Sequence, residues 1–289
     1  MAITLSEIRE ASVDALIKAS TSFRPDQYKA YERAIERESE RNAKWILEMI
    51  LENAIIAEKN KSPLCDDTGI PHVLLEIGDE ADLEDSIGKI LEIVGDGIAD
   101  GLRALPGRPM AVRGNEWERL SQTKGLYEDS GMLMPAPIRI KAIKGTKLRL
   151  SVMMLGGGPE IRARTYRVFH HHDSSRISKE IAAWAVEMVG LLGCTPCVPA
   201  VGIGRTQYEA VCLMMDAMAS KTFGNENEIE AFITSTLNDT FNGPLGLGGS
   251  ITALNSFVEI GPQRASGVRI VSLRMGCCFD PRRSSVVLG

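Results

Sequence analysis

The stretch "PIRIKAIKGTKLRLSVMMLGGG", residues 137–158, carries the clearest fold signal in the chain. Ile138, Ile140 and Ala142 alternate with Arg139 and Lys141, and a second apolar run, Leu148–Leu155, follows Gly145. A period of two is that of a β-strand, and a glycine between two such runs predicts a hairpin-like pair. The second strand then delivers its end to a loop opening with Gly156, Gly157 and Gly158. Downstream, "SKEIAAWAVEMVGLLG" has helical spacing and leads through Cys194 into the strand "CVPAVGIG". Thr206 opens a helix over "TQYEAVCLMMDAMAS". "SITALNSFVEI" and "VRIVSLRMG" predict paired strands, the second reaching Cys277, and "PRRSSVVLG" reads as a tail. Upstream, "HVLLEIG" predicts a strand, and "LEDSIGKILEIVGDGIADGLRAL" a helix stopped by "PGRP". Ser6 can cap a first helix, and residues 26–59 contain no Gly or Pro, so they predict one long helix or two shorter ones. The expected fold is mixed α/β: a helical N-terminal segment, 1–62, then an α+β region with mixed short sheets, 63–289. No internal repeat is evident.

The 289 residues, 44% of them hydrophobic and 25% charged, suit an ordinary globular protein. A net charge of -5 leaves no basic field to hold nucleic acid. No apolar run approaches the ~20 residues of a membrane-spanning helix. The first residues carry acids and lack the basic-then-apolar order of a secretory signal, so the expected location is the cytoplasm. In that compartment six cysteines are poor candidates for disulfides, which leaves metal ligation or packing.

Three cysteine positions share a context. Cys65 lies between Pro63 and Gly69, Cys194 between Gly193 and Pro196, and Cys277 follows Gly276. Single cysteines at distant turns are what a fold needs in order to assemble one cluster, although a buried cysteine commonly serves as a small apolar filler. Cys212, on the apolar face of its helix, and Cys197, inside a strand, read as packing. Cys194 and Cys197 form a C-x-x-C pair, for which a structural zinc site would want a second pair. Asp66 and Asp67 beside Cys65 can either move protons or cap a turn. The three glycines can offer backbone N–H groups to an anion or simply turn the chain. His170, His171 and His172 alternate in direction and cannot all face one ion, so they read as solvated or packing residues; a substrate contact is the other role open to one of them.

"PLCDDTG", the glycine triplet, "GCTPCVPAVGIG", "GPLGLGGSITAL" and "GCCFDPRR" occur in the order and at the separations found in class I, iron–sulfur fumarate hydratases and L-tartrate dehydratases. Nearly the whole chain resembles their N-terminal domain or α subunit. The resemblance implies a [4Fe–4S] cluster held by Cys65, Cys194 and Cys277, with one iron open to substrate. Cys194 is chosen over Cys197 and Cys277 over Cys278 by match to the family's motifs. It further implies Asp67 as the base, Gly156, Gly157 and Gly158 as substrate-binding backbone, and an arginine ahead of that loop for a substrate carboxylate. Arg103 and Arg113 both fit loosely, and Arg113 is carried forward. Two departures stand out. The glycines are followed by "PEIRAR", and Gln263 of "GPQRAS" occupies the place of a substrate-contacting histidine. The chain stops where a second domain would begin, which implies an α subunit working with a separate β subunit, paired α chains and a small dicarboxylate substrate. Other readings are a hydro-lyase for another hydroxy acid, or a non-catalytic protein whose cysteines bind zinc or pack.

Overall fold

A computed structural model describes residues 2–289. Its elements in chain order are α1 (Leu5–Thr21), α2 (Pro25–Arg37), α3 (Arg41–Asn60), β1 (Ile70–Gly78), α4 (Ile87–Ala104), α5 (Glu116–Ser121), β2 (Arg139–Ile143), β3 (Leu148–Leu155), α6 (Gly157–Glu160), β4 (Arg164–Phe169), α7 (Ser174–Val189), β5 (Val198–Gly204), α8 (Gln207–Ser220), α9 (Glu228–Asn238), β6 (Phe257–Ile260), β7 (Val268–Gly276) and β8 (Arg282–Leu288). The class is the expected one, a helical start followed by mixed α/β structure with two small mixed sheets. Among the described residues no helix is long and apolar enough to cross a membrane.

Local chemistry sets the helix limits. Thr4, rather than Ser6, caps α1: its hydroxyl accepts from the Glu7 N–H while the Glu7 carboxylate accepts from the Thr4 N–H. Such a reciprocal box satisfies two of the donors that a helix start leaves orphaned. Residues 26–59 resolve into two helices because Glu38 leaves helical geometry. Its carboxylate accepts instead from the backbone N–H groups of Ser250 and Ile251.

Contacts divide the chain into two units, the first comprising residues 1–22, 54–156 and 282–289, the second 23–53 and 157–281. The helices of residues 1–62 are therefore shared between the units, and α3 runs from one into the other. In the first unit α1 and α4 pack together, with Ile8, Leu16, Ile90, Val94 and Ile98 meeting Leu75, Leu148 and Leu150 of its sheet in one core. In the second, α7 and α9 cover Val201, Val271 and Leu273.

Both strand pairings expected from sequence neighbours are corrected. The first sheet has the order β2-β1-β3-β8 and the second β4-β7-β5-β6, so β2 does not pair with β3, nor β6 with β7. The end of β1 slips into the turn expected to close the hairpin: the N–H groups of Gly78, Asp79 and Glu80 donate to the carbonyls of Lys147, Ile143 and Gly145. β1 is apolar enough to bury both faces around Val73, Leu74 and Leu75, whereas β2, with Arg139 and Lys141, takes the edge. In the same way the loop after β6 straddles β5, Gly261 N–H donating to Ile203 O, and every residue of β5 is buried. The expected tail is also corrected. Residues 282–288 form β8, antiparallel to β3, with Val286 and Leu288 turned to the core.

The two sheets share one plan. A first strand (β1 or β5) pairs parallel with the next strand of its unit (β2 or β6) and antiparallel with the one after (β3 or β7). The fourth strand is exchanged: β8, which follows β7, pairs with β3, while β4, which follows β3, pairs with β7. The repeat is one of topology, without a sequence repeat to announce it.

Candidate active site

Antiparallel register brings the loop entering each first strand beside the loop leaving each third strand. In the first unit Ile70 faces Leu155, so Cys65–Gly69 lies against the start of the glycine triplet. Asp67 Oδ1 accepts from the Gly69 N–H at 3.1 Å, an Asx turn. Its Oδ2 faces Gly156, where a Cβ would come within 2.7 Å of it. Gly69 has φ +83°, and a Cβ there would meet Arg282 Nη2 at 2.7 Å. Two positions thus exclude any side chain, one next to a carboxylate and one next to a guanidinium. Thr68 is buried, and its hydroxyl accepts from the Arg108 N–H at 2.8 Å. The Arg108 guanidinium reaches the exposed Asp66 at 3.4 Å. From β8, Arg282 donates to the Asp67 carbonyl at 2.7 Å.

In the second unit Val198 faces Gly276, and the Cys278 N–H donates to the Cys194 carbonyl at 2.9 Å. The turn after Cys277 is gripped by one side of α2. Arg24 donates to the Pro281 carbonyl, Gln27 to Phe279 and Tyr31 to Cys278. Helical spacing of three and four puts Arg24, Gln27 and Tyr31 on that one side. Tyr31 is wholly buried, and burial pushes its phenol well above its ordinary range, so it acts as a donor. Beneath the turn, Asp280 accepts from the Cys277 N–H at 3.2 Å and from the buried Arg274 at 2.8 Å. Burial opposes the charge of Arg274, but Asp280 and Glu160 outweigh that cost and raise its pKa. On the other side, Thr195 clamps the loop at 243–246: its hydroxyl donates to Gly243 O and accepts from Gly246 N–H, while its carbonyl accepts from Leu245 N–H.

All six cysteines carry thiols, and their accessibility differs. Cys194 is exposed and Cys65, Cys277 and Cys212, the last read from sequence as packing, are half-buried, whereas Cys197 and Cys278 are buried at 0% and 3% exposure. Burial pushes the Cys197 thiol far above its ordinary range, which suppresses the thiolate a metal needs. Among the described residues no group of three or more His, Cys, Asp or Glu side chains is arranged to hold a metal ion. An iron–sulfur cube has a different requirement, one thiolate at each of several corners.

The other sequence-derived candidates are placed as follows. Arg103 pairs with Asp100 and Asp129, and Arg113 stacks over Tyr127. The arginines at the CDDTG loop are Arg108 and Arg282, both missed by sequence reasoning. Arg108 sits in the "PGRP" that reads only as a helix stop, and Arg282 in the segment that reads as a tail. Gly157 and Gly158 belong to the single turn α6, and nothing lies within 4 Å of a Cβ at Gly158. Gln263 folds back, its amide donating to the Ile203 and Gly261 carbonyls. His170 spends both ring nitrogens on the main chain, with Ser266 O and His172 N–H, and is a structural residue.

The sequence model of the family described as Fumarate hydratase (Fumerase) matches residues 9–287. A protein of Methanocaldococcus jannaschii named "Putative L(+)-tartrate dehydratase subunit alpha" is 28% identical over 279 residues, which span 95% of this chain and 94% of that protein.

Proposed function

The chain belongs to the Fumerase family of fumarate hydratases, and from that premise we propose that it is the α subunit of an iron–sulfur hydro-lyase. It would reversibly add or remove water on a four-carbon dicarboxylate, fumarate with malate or tartrate, together with a separate β subunit. The α assignment draws on the name of the archaeal relative, nearly all of whose length this chain spans. The family match supports lyase chemistry, and the arrangement around Asp67 suits it.

The observation that carries the reading is the pattern of thiol burial. Cys65, Cys194 and Cys277, each in a strand-flanking loop, remain reachable, as does Cys212 within α8, while their neighbours Cys197 and Cys278 are sealed in the core. We assign the first three as ligands of a [4Fe–4S] cluster. When bound, such a cluster supplies a Lewis-acidic iron that polarises the departing hydroxyl.

The residues of the chain carry the remainder. Asp67 takes the proton from the carbon next to a substrate carboxylate in the dehydration direction and returns it in hydration. Its turn bond to Gly69 fixes one carboxylate oxygen and leaves the other facing Gly156. Arg108, tied to Thr68, supplies the cation for a substrate carboxylate in preference to Arg113, whose guanidinium lies over Tyr127. Gly156, Gly157 and Gly158 let backbone approach the substrate. Gln263, with its amide hydrogens spent on carbonyls, would offer its oxygen to a substrate hydroxyl.

Anaerobic reconstitution with iron and sulfide, with a β subunit present, tests this reading. A brown protein that hydrates fumarate or dehydrates tartrate is the expected result. A colourless protein that binds zinc, or whose cysteines bind nothing, would replace it with the non-catalytic reading, and a brown protein inactive on both acids would point to another hydroxy acid.

A further inference from the structure

We infer that Arg282 is a positioning residue for Asp67, a buried cation placed to hold negative charge at the CDDTG loop. The two buried arginines of the chain are treated differently. Arg274, wholly buried, is neutralised by Asp280 at 2.8 Å and approached by Glu160 at 3.4 Å. Arg282, 4% exposed, has a neutral carbonyl, that of Asp67, as its one hydrogen-bond partner among the described residues, and its buried Nε has none. A buried charge without a counter-charge is costly, so a fold that keeps one needs an anion close by.

The anion is the Asp67 carboxylate. A Cβ at Gly156 would lie 2.7 Å from Asp67 Oδ2 and 3.3 Å from Arg282 Nη2, so those atoms are about 6.0 Å apart at most. The same guanidinium fills the space that a side chain at Gly69 would need. Arg282 therefore acts twice: its Nη1–H holds the main chain at Asp67, and its charge draws the carboxylate toward Gly156. Register fixes this geometry, because Arg282 is paired with Met154, two residues before Gly156.

The inference rests on the assignment of Asp67 as the base, and three variants of the reconstituted α–β enzyme test it. Arg282→Gln keeps a donor without charge, Arg282→Lys keeps charge, and Arg282→Met keeps neither. Without that charge the Asp67 carboxylate is no longer drawn toward Gly156, and misplacing a reacting group by roughly 1 Å costs about a hundredfold in rate. Arg282→Gln should thus lose about a hundredfold in kcat with KM within about threefold and unchanged iron content, and Arg282→Lys should stay within about tenfold of the parent. Hydrogen exchange of the amides at 66–69, read in the metal-free chain, should rise at least about tenfold in Arg282→Met only. Wild-type kcat in Arg282→Gln, an equal loss in Arg282→Lys, or wild-type exchange in Arg282→Met would overturn it. If the parent enzyme turns over neither fumarate nor tartrate, the functional reading fails, and the exchange arm still decides whether Arg282 holds the loop.

Discussion

Two glycines of the same triplet make opposite predictions. An alanine methyl at position 156 would stand 2.7 Å from Asp67 Oδ2 and 3.3 Å from Arg282 Nη2, whereas at position 158 it meets nothing within 4 Å. Neither residue has the positive φ that would strain an alanine, so the difference is one of space alone. In Gly156→Ala the carboxylate must retreat by about 0.7 Å to reach ordinary contact at 3.4 Å. It cannot rotate freely, because its other oxygen is bonded to the Gly69 N–H. Misplacing a reacting group by roughly 1 Å costs about a hundredfold in rate, so kcat should fall on the order of 10²-fold while the folded state loses little. Gly158→Ala lies in a helical turn, where alanine is favoured by roughly 0.5–1 kcal/mol; it should raise the melting temperature slightly and leave the Asp67 carboxylate in place, so that any effect of crowding the substrate falls on KM and kcat stays within about threefold. Steady-state kinetics and thermal denaturation of both variants, in the reconstituted enzyme, make the comparison. If Gly156→Ala keeps the parental kcat, or if Gly158→Ala is equally damaging, the triplet works as a flexible hinge and the steric account of Asp67 is wrong.

Replacing Cys65, Cys194 or Cys277 singly by serine should abolish the visible absorbance of the reconstituted protein, while Cys197→Ala and Cys278→Ala should keep it and lose only roughly 1 kcal/mol of stability as core residues, read by urea denaturation. Thr195→Val strands the Gly243 carbonyl and Gly246 N–H, which should cost about 2 kcal/mol and open the 243–248 loop to limited proteolysis. Glu38 supplies the acid dependence: burial works against its charge, but the N–H groups of Glu40, Ser250 and Ile251 and the Ser250 hydroxyl outweigh that and hold its pKa below the ordinary 4.5. With the folded pKa depressed, its contribution is fully present above about pH 4.5 and fades as pH falls through the lowered value. Melting curves across pH 3–6 should therefore show a shallower acid limb in Glu38→Gln than in the parent, and parallel limbs would refute the assignment.

The positions of most elements were legible because they depend on local periodicity and capping, which neighbours in sequence decide. Thr206 opens α8 as expected, and β1, β3, β5 and β7 fall where alternating or fully apolar runs place them. Strand partners were not legible. Whether Ile143 and Lys147 close a hairpin or embrace the end of β1 depends on which strand can bury both faces, a property of the assembled sheet. The helix α9 did carry a local signal, the Asn227–Glu230 capping box, which the expected pattern passes over. In β8 the serines 284 and 285 interrupt the apolar pattern that Val286 and Leu288 complete, and so the strand carrying Arg282 reads as a tail. Of the candidate site, the turns mark the cysteines and the Asp66–Asp67 pair as candidates and the family resemblance chooses among them, whereas Arg108 and Arg282 become visible only when Thr68 and the Asp67 carbonyl are seen to bond them.

The exchange of fourth strands gives each sheet one strand from a distant part of the sequence. Each unit builds three strands from its own segment, and register alone sets the loop before the first strand beside the loop after the third. Of the four points at which the chain changes unit, two, Gly156–Gly157 and Pro281–Arg282, follow the third strands β3 and β7. The segment that carries Cys277 therefore continues, five residues later, into the strand whose first residue holds Asp67. A fourth strand drawn from the same unit would complete the sheet equally well, yet it would not link the two loops covalently. Residues 277–281 are gripped by α2 and its N-cap, through Arg24, Gln27 and Tyr31. That segment contains Asp280, buried at 1% exposure, which holds the Cys277 N–H and the Arg274 guanidinium and so fixes the turn within its own unit.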